Sequence, residues 1–223
     1  MAESTSDKGV PADLLIEDAD LIYTCAGPFP RAGAAQRDLV PLRRGSVASR
    51  DGRIVFAGDA SACRAAVRLT EAAVVIDGRG RTVVPGFVDP HTHLIYAGDR
   101  RDELQRRLGG ASYAEIAANG GGIVKTVTAT RHASQDDLVR SALPRLADML
   151  AAGTTTAEVK SGYGLDLASE LTMLRAARTL AARQPIEIVP TFMGAHEIPV
   201  EHRAHRETYV RQVIDEMIPA VAA

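Results

Sequence analysis

Residues 83–100 read "VVPGFVDPHTHLIYAGDR", and two of the chain's six histidines, His91 and His93, lie one residue apart within it. They close an apolar run that follows Pro-Gly and Asp-Pro. Such a run reads as a strand with polar residues at its end. On a strand, side chains at i and i+2 share a face. At roughly 3.3 Å per residue their Cα atoms stand about 6.5 Å apart. Two imidazoles at that spacing can converge on one metal ion, and neutral imidazole suits zinc and iron. The same spacing also fits two histidines at a wet loop start with no ligand at all.

The sequence on either side of this stretch is organised differently. Residues 1–12 read as a disordered tail, and 13–82 as a β-rich module of short runs separated by turn signals. Asp51-Gly52 and Asp77-Gly78 are the turn dipeptides, and "SACRAAVRL" is a short helix between runs. From residue 83 onward strands and helices alternate. A helix is expected over 134–153, with Ser134 as N-cap, Asp137 three residues on, and Gly153 as its stop. Leu138, Ala142, Leu146, Met149 and Leu150 form its apolar face, and Pro144 should kink or break it.

Further strands are expected at 154–164 and 186–196, each followed by a helix. The helix at 166–183 should turn Leu167, Leu171, Leu174, Ala177 and Ala181 inward. The one at 206–218 should turn Val210, Val213, Ile214 and Met217 inward. Residues 97–133 read as a long loop with a flexible centre at "NGGGI". This βα repeat predicts a parallel α/β sheet or a (β/α) barrel. A closed eight-fold barrel takes about 250 residues. Residues 83–223 supply about three βα units, which cannot close one.

Composition narrows the function. Of 223 residues, 46 % are hydrophobic and 24 % charged, with a formal net charge of -2, which suits a soluble globular protein with a real core. There is no basic stripe with interleaved aromatics, so nucleic acid is not an expected partner. No apolar run approaches the ~20 residues of a membrane helix. The polar start "MAESTSDKGV" lacks a secretory core, and Cys25 and Cys63 are too few for a disulfide framework, so a cytoplasmic location is expected.

"PGFVDPHTH" resembles the first-strand signature of the amidohydrolase superfamily. "HTHLIYAGDRRDE", "EVKSGYGLD" and "VPTFMGAHEIP" together resemble the imidazolonepropionase family, and the resemblance runs over 13–223. It implies an amidohydrolase-type (β/α)8 barrel, truncated here after about three βα units, with the β-rich module before it. It implies metal-assisted opening of the lactam ring of 4-imidazolone-5-propanoate to N-formimidoyl-L-glutamate, in histidine degradation. One Zn2+ or Fe3+ per active site is implied, with His91 and His93 as ligands. Arg100, Tyr163 and His196 match the family's substrate-binding positions. A guanidinium fork suits the propanoate carboxylate. Lys160 is assigned no metal.

The family's remaining ligands and its catalytic histidine come from later strands, so no catalytic residue is assigned within these 223. The chain is therefore expected to be inactive alone. A small-molecule substrate is the expected partner, and a homodimer is compatible with the sequence. Two other readings stay open: another amidohydrolase, such as a nucleobase deaminase, and a non-catalytic half-barrel fragment.

Overall fold

The computed structural model describes residues 9–28, 30–112, 115–116 and 120–223. The chain divides into two compact units at Pro85/Gly86. Of the tail expected over 1–12, residues 1–8 lie outside the described part, and Val10 already opens a strand.

The first unit is a mixed five-stranded sheet. Its strands are β1 (Val10–Tyr23), β2 (Pro41–Arg50), β3 (Arg53–Asp59), β4 (Val67–Asp77) and β5 (Thr82–Val83). The order is β3-β2-β1-β4, with β5 also pairing β1. Asp51 and Gly52 join β2 to β3 with φ of 50° and 74°, the two positive values a tight hairpin turn needs. Helix α1 (Ala60–Ala66) is capped by Asp59, whose carboxylate accepts from the Ser61 and Ala62 amides. Ala12, Leu15, Ala48 and Cys63 form this unit's core.

The second unit is a three-stranded parallel sheet, β6 (Phe87–Thr92), β7 (Thr154–Lys160) and β8 (Glu187–Thr191), in that order. Its helices are α2 (Arg101–Leu108), α3 (Ile123–His132), α4 (Gln135–Ala151), α5 (Leu167–Ala181), α6 (Arg206–Gln212) and α7 (Ile218–Ala222). A π-helical turn, Val213–Met217, links the last two. Parallel strands need crossovers, and α4 and α5 supply them. Both pack on the buried face of β7: Ala157 and Val159 meet Leu138, Val139, Ala142, Leu146, Met173, Ala176, Ala177 and Leu180 in one apolar cluster.

Several expectations are corrected. Among its described residues the 97–133 segment includes the helices α2 and α3; Asn119 of "NGGGI" lies outside the described residues. Pro144 does not break α4, which runs unbroken from Gln135 to Ala151. A proline inside a helix costs one hydrogen bond and a clash, about 3 kcal/mol. Burial of Leu138, Val139, Ala142 and Leu146 along the same helix outweighs that. Ser134 and Asp137 form the reciprocal capping box that the sequence suggested.

The expected apolar faces are met in part: Leu138, Ala142 and Leu146 on α4, Ala177 on α5, and Val213 and Met217 near the end are buried as expected. Leu150 is 40 % exposed, while Val139 is buried. An i+4 row advances about 40° past a full turn per step, so by Leu150 it has left the face begun by Leu138. On α5 the inward residues are Glu170, Met173, Ala176, Ala177 and Leu180. Over 206–217, Tyr209, Val213 and Met217 face inward, while Val210 is 40 % and Ile214 55 % exposed. The buried row is the one that carries Tyr209, whose hydroxyl donates to the Gly194 carbonyl at 2.6 Å.

Leu146 is 1 % exposed at the centre of the α4–β7–α5 cluster. Leu146→Ala should lower the stability of this unit by ~2–5 kcal/mol. The urea midpoint measures this, and a loss below ~1 kcal/mol would mean the cluster is not packed as described.

Candidate active site at the sheet's C-terminal end

Because β6, β7 and β8 are parallel, the segments that leave their C-terminal ends emerge on one side. His93 directly follows β6, Tyr163 lies three residues past β7, and His196 five past β8. Their rings meet there. His93 stacks on His196 with centroids 4.3 Å apart and an interplanar angle of 15°. Tyr163 lies 5.1 Å from His93 and 5.4 Å from His196. The His91 ring is 5.6 Å from that of His93, as the shared strand face requires. Four of the five residues singled out in the sequence thus gather in one cluster.

The fifth, Arg100, lines a cavity of ≈ 590 Å³ together with Tyr163, Tyr96, Arg101 and Arg145. Its Nε donates to the Glu103 carboxylate at 2.9 Å. Glu103 is only 4 % exposed and also accepts from the Gly122 amide at 2.8 Å. Burial pushes this carboxyl up, but the Arg100 and Gly122 hydrogen bonds and the Arg100 charge outweigh it, leaving it below its ordinary value. Arg145 sits 3.7 Å over the Tyr96 ring and donates to the Leu94 carbonyl. Arg100, Arg101 and Arg145 outnumber Asp99 and the Glu103 that pairs Arg100, and this positive excess suits the cavity to an anion.

The turn after β7 sets the geometry. Gly162 has φ of +105°, and a Cβ there would lie 2.7 Å from the His196 Cβ and 2.8 Å from the Met193 carbonyl oxygen. Glycine is therefore required for the close approach of the two turns. The Gly162 carbonyl lies 2.9 Å from His196 Nδ1. Ser161 joins the same two segments: its amide donates to the Thr191 carbonyl, and its hydroxyl accepts from the Met193 amide. Beneath the rings, Lys160 pairs with Glu158 at 2.6 Å, and Thr191 donates to the same carboxylate oxygen at 2.7 Å. The Lys160 and Thr191 hydrogen bonds hold the Glu158 carboxyl below its ordinary value.

Burial, followed by the charges of His196 and His91, lowers the pKa of His93 to about 4. Its Nδ1 is buried with no hydrogen-bond partner. A neutral ring with an unused nitrogen is the donor a transition metal takes, so the His91–His93 pair fits such an ion. Among the described residues no group of three or more His, Cys, Asp and Glu side chains is arranged to hold a metal. Tyr163 titrates above the ordinary tyrosine range because it is buried, with the Arg100 charge opposing.

Sequence comparison names the relatives of this arrangement. The chain is 55 % identical over 213 residues to the imidazolonepropionase of Symbiobacterium thermophilum, covering 96 % of this chain and 50 % of that protein. It is 50 % identical over 210 residues to the imidazolonepropionase of Chloroflexus aggregans, covering 94 % of this chain and 48 % of that protein. The chain is thus similar to imidazolonepropionases over almost its whole length. It spans about half the length of the curated relatives it matches.

No family model matches the chain. Among solved structures, a triazine hydrolase double variant aligns with a TM-score of 0.54 at 17 % identity, over 91 % of this chain and 42 % of that one. A triple variant aligns with a TM-score of 0.52 at 17 % identity, over 80 % and 35 %. These two show a shared fold. No helix among the described residues is long and apolar enough to cross a membrane.

Sequence reasoning did not single out Glu103, Glu170, Arg131 or Tyr96 in this imidazolonepropionase-related site. Glu103 had one signal, its i,i+3 spacing from Arg100 in "DRRDE". Glu170 had none, because an apolar-face pattern assigns acidic residues to solvent.

The low His93 value fixes the sign of a pH effect. An unfolded histidine takes a proton near pH 6.5, and the folded one near 4. Between these values the unfolded state binds more protons, so stability falls as pH drops from ~6.5 to ~4 and levels off below. Proton NMR of the metal-free chain should show the His93 ring titrating near pH 4. A midpoint near 6.5 would show that the ring is not buried as described.

Proposed function

We propose that this chain carries the metal-binding histidine pair and the substrate-binding wall of an imidazolonepropionase, within the leading part of an amidohydrolase-type (β/α)8 barrel. The reaction is hydrolysis of the lactam ring of 4-imidazolone-5-propanoate to N-formimidoyl-L-glutamate in histidine degradation, in the cytoplasm. The observation that carries the reading is the meeting of His91, His93, Tyr163 and His196 at the C-terminal end of one parallel sheet, in a chain 55 % identical to a named imidazolonepropionase. In a barrel of this class that end holds the active site.

His91 and His93 would hold one Zn2+ or Fe3+, which would supply Lewis-acid polarisation of the lactam carbonyl and a more acidic water. The residues of this chain bind and orient the substrate. Arg100 takes the propanoate carboxylate in its guanidinium fork, and Glu103 fixes the angle of that fork. The Tyr163 hydroxyl stays protonated at neutral pH and donates to the ring or carboxylate. His196 donates Nδ1–H to the Gly162 carbonyl and offers Nε2 to a ring N–H. Holding the ring in line is worth a large part of such a barrier.

Two histidines supply half the ligands of a four-coordinate site, so these 223 residues do not turn over substrate by themselves. The proposed partner is a small molecule rather than nucleic acid or membrane, and the proposed assembly is a homodimer.

The test is a chimaera that joins this chain to the remaining half of the Symbiobacterium thermophilum relative. It should show metal-dependent loss of imidazolone absorbance, and the chain alone should show none. His91→Ala or His93→Ala should abolish both turnover and stoichiometric metal. An inactive chimaera, beside an active parent relative, would overturn the assignment, as would nucleobase deamination in its place. Arg100→Ala should raise KM roughly 10- to 150-fold, from a charge-assisted bond of ~1.5–3 kcal/mol. An analogue lacking the carboxylate should lose much less, and equal losses would remove Arg100 as the clamp.

A further inference from the structure

Glu170 is 0 % exposed, on a helix face that is otherwise apolar. A buried carboxylate must be compensated. Here the compensation comes from one short turn. Glu170 Oε1 accepts from the amides of Gly164 and Leu165, both at 2.8 Å, and Oε2 from that of Gly162 at 3.0 Å. The carbonyls of the same turn face a cation. Arg131 donates to the Gly164 oxygen at 2.6 Å and the Leu165 oxygen at 3.1 Å. Arg131 is itself held by Asp166 at 3.0 Å and Glu201 at 2.8 Å. The 161–165 turn is thus clamped by a carboxylate on its amides and a guanidinium on its carbonyls.

The turn needs the clamp. Gly162 and Leu165 both have positive φ, +105° and +54°, and leucine reaches that region only when its surroundings hold it there. Gly164 admits no Cβ, which would lie 2.7 Å from the Glu170 amide nitrogen. Between the held amides sits Tyr163. The carbonyl of the first held residue, Gly162, is the partner of His196 Nδ1. A carbonyl oxygen only accepts, so His196 Nδ1 carries a proton in this contact, and Glu170, bonded to the amides on either side of the Gly162–Tyr163 peptide, limits how that peptide can turn. Nε2 is then left with a lone pair.

We propose that Glu170, with Arg131 across the turn, is a positioning residue for the Tyr163–His196 pair and holds His196 with a proton on Nδ1, facing the Gly162 carbonyl. The site therefore selects ligands that present an N–H, and not a bare acceptor, to His196 Nε2. This rests on the proposed reaction for the identity of the ligand, but the tautomer can be measured without turnover.

The experiment is nitrogen-15 NMR of histidine-labelled, metal-free 223-residue chain. His196 should show a protonated Nδ1 and an unprotonated Nε2. Glu170→Gln keeps the shape but puts an NH2 against the Gly162 amide, a donor facing a donor. More than half of His196 should then carry its proton on Nε2. Arg131→Lys, on the less buried side, keeps the charge and loses the fork. It should shift the tautomer in the same direction to a smaller extent, and it stands in if Glu170→Gln does not fold.

Nε2–H as the main form in the unaltered chain overturns the proposal. So does an unchanged tautomer in either folded variant, with folding judged by the Tyr209 ring signals. An inactive chimaera with the Nδ1–H tautomer in place would overturn the reaction and leave this assignment standing.

Discussion

Everything at the site depends on three strands running the same way. Parallel pairing of β6, β7 and β8 brings three C-terminal ends together, and side chains 33 to 103 residues apart in sequence become neighbours. The strands are also tied by a side-chain bond: the Thr92 hydroxyl donates to the Glu158 carbonyl at 2.7 Å, just before His93. The parallel ladder continues past β7, where the Ser161 amide bonds the Thr191 carbonyl. The two turns are therefore registered before their functional side chains begin.

On that frame, buried carboxylates act as templates for glycine-rich turns. Glu103 takes the Gly122 amide and holds Arg100; Glu170 takes three amides around Tyr163. Glycine supplies backbone amides without a side chain in the way, and a carboxylate can accept several of them. Each carboxylate also lies against an arginine system, Arg100 in one case and Arg131 across the turn in the other. The same chemistry that satisfies a buried charge thereby fixes the residues proposed to bind substrate.

The helical period was legible, and its phase only in part. Leu138, Ala142 and Leu146 face inward as their spacing requires, and Ser134 caps α4 with Asp137 in the expected manner. Helix α5 is rotated because Glu170 points inward, and no hydrophobic pattern assigns a carboxylate to a core. Helix α4 passes through Pro144 because a local rule worth a few kcal/mol gave way to a shared core. Helices α2 and α3 were read as loop because their apolar residues are sparse and α2 is mostly charged.

By itself the sequence determined the βα alternation, the turn and cap chemistry, and the residue types of the site. Those are local: a Pro-Gly-bounded apolar run, an HxH pair on one strand face, glycines flanking Tyr163. The tertiary structure decided which residues meet, that His93 is half-buried with a lowered pKa, and which buried carboxylates hold the turns. These follow from contacts between segments far apart in the chain. The desolvation and hydrogen bonding that set them exist only once the parallel sheet has formed.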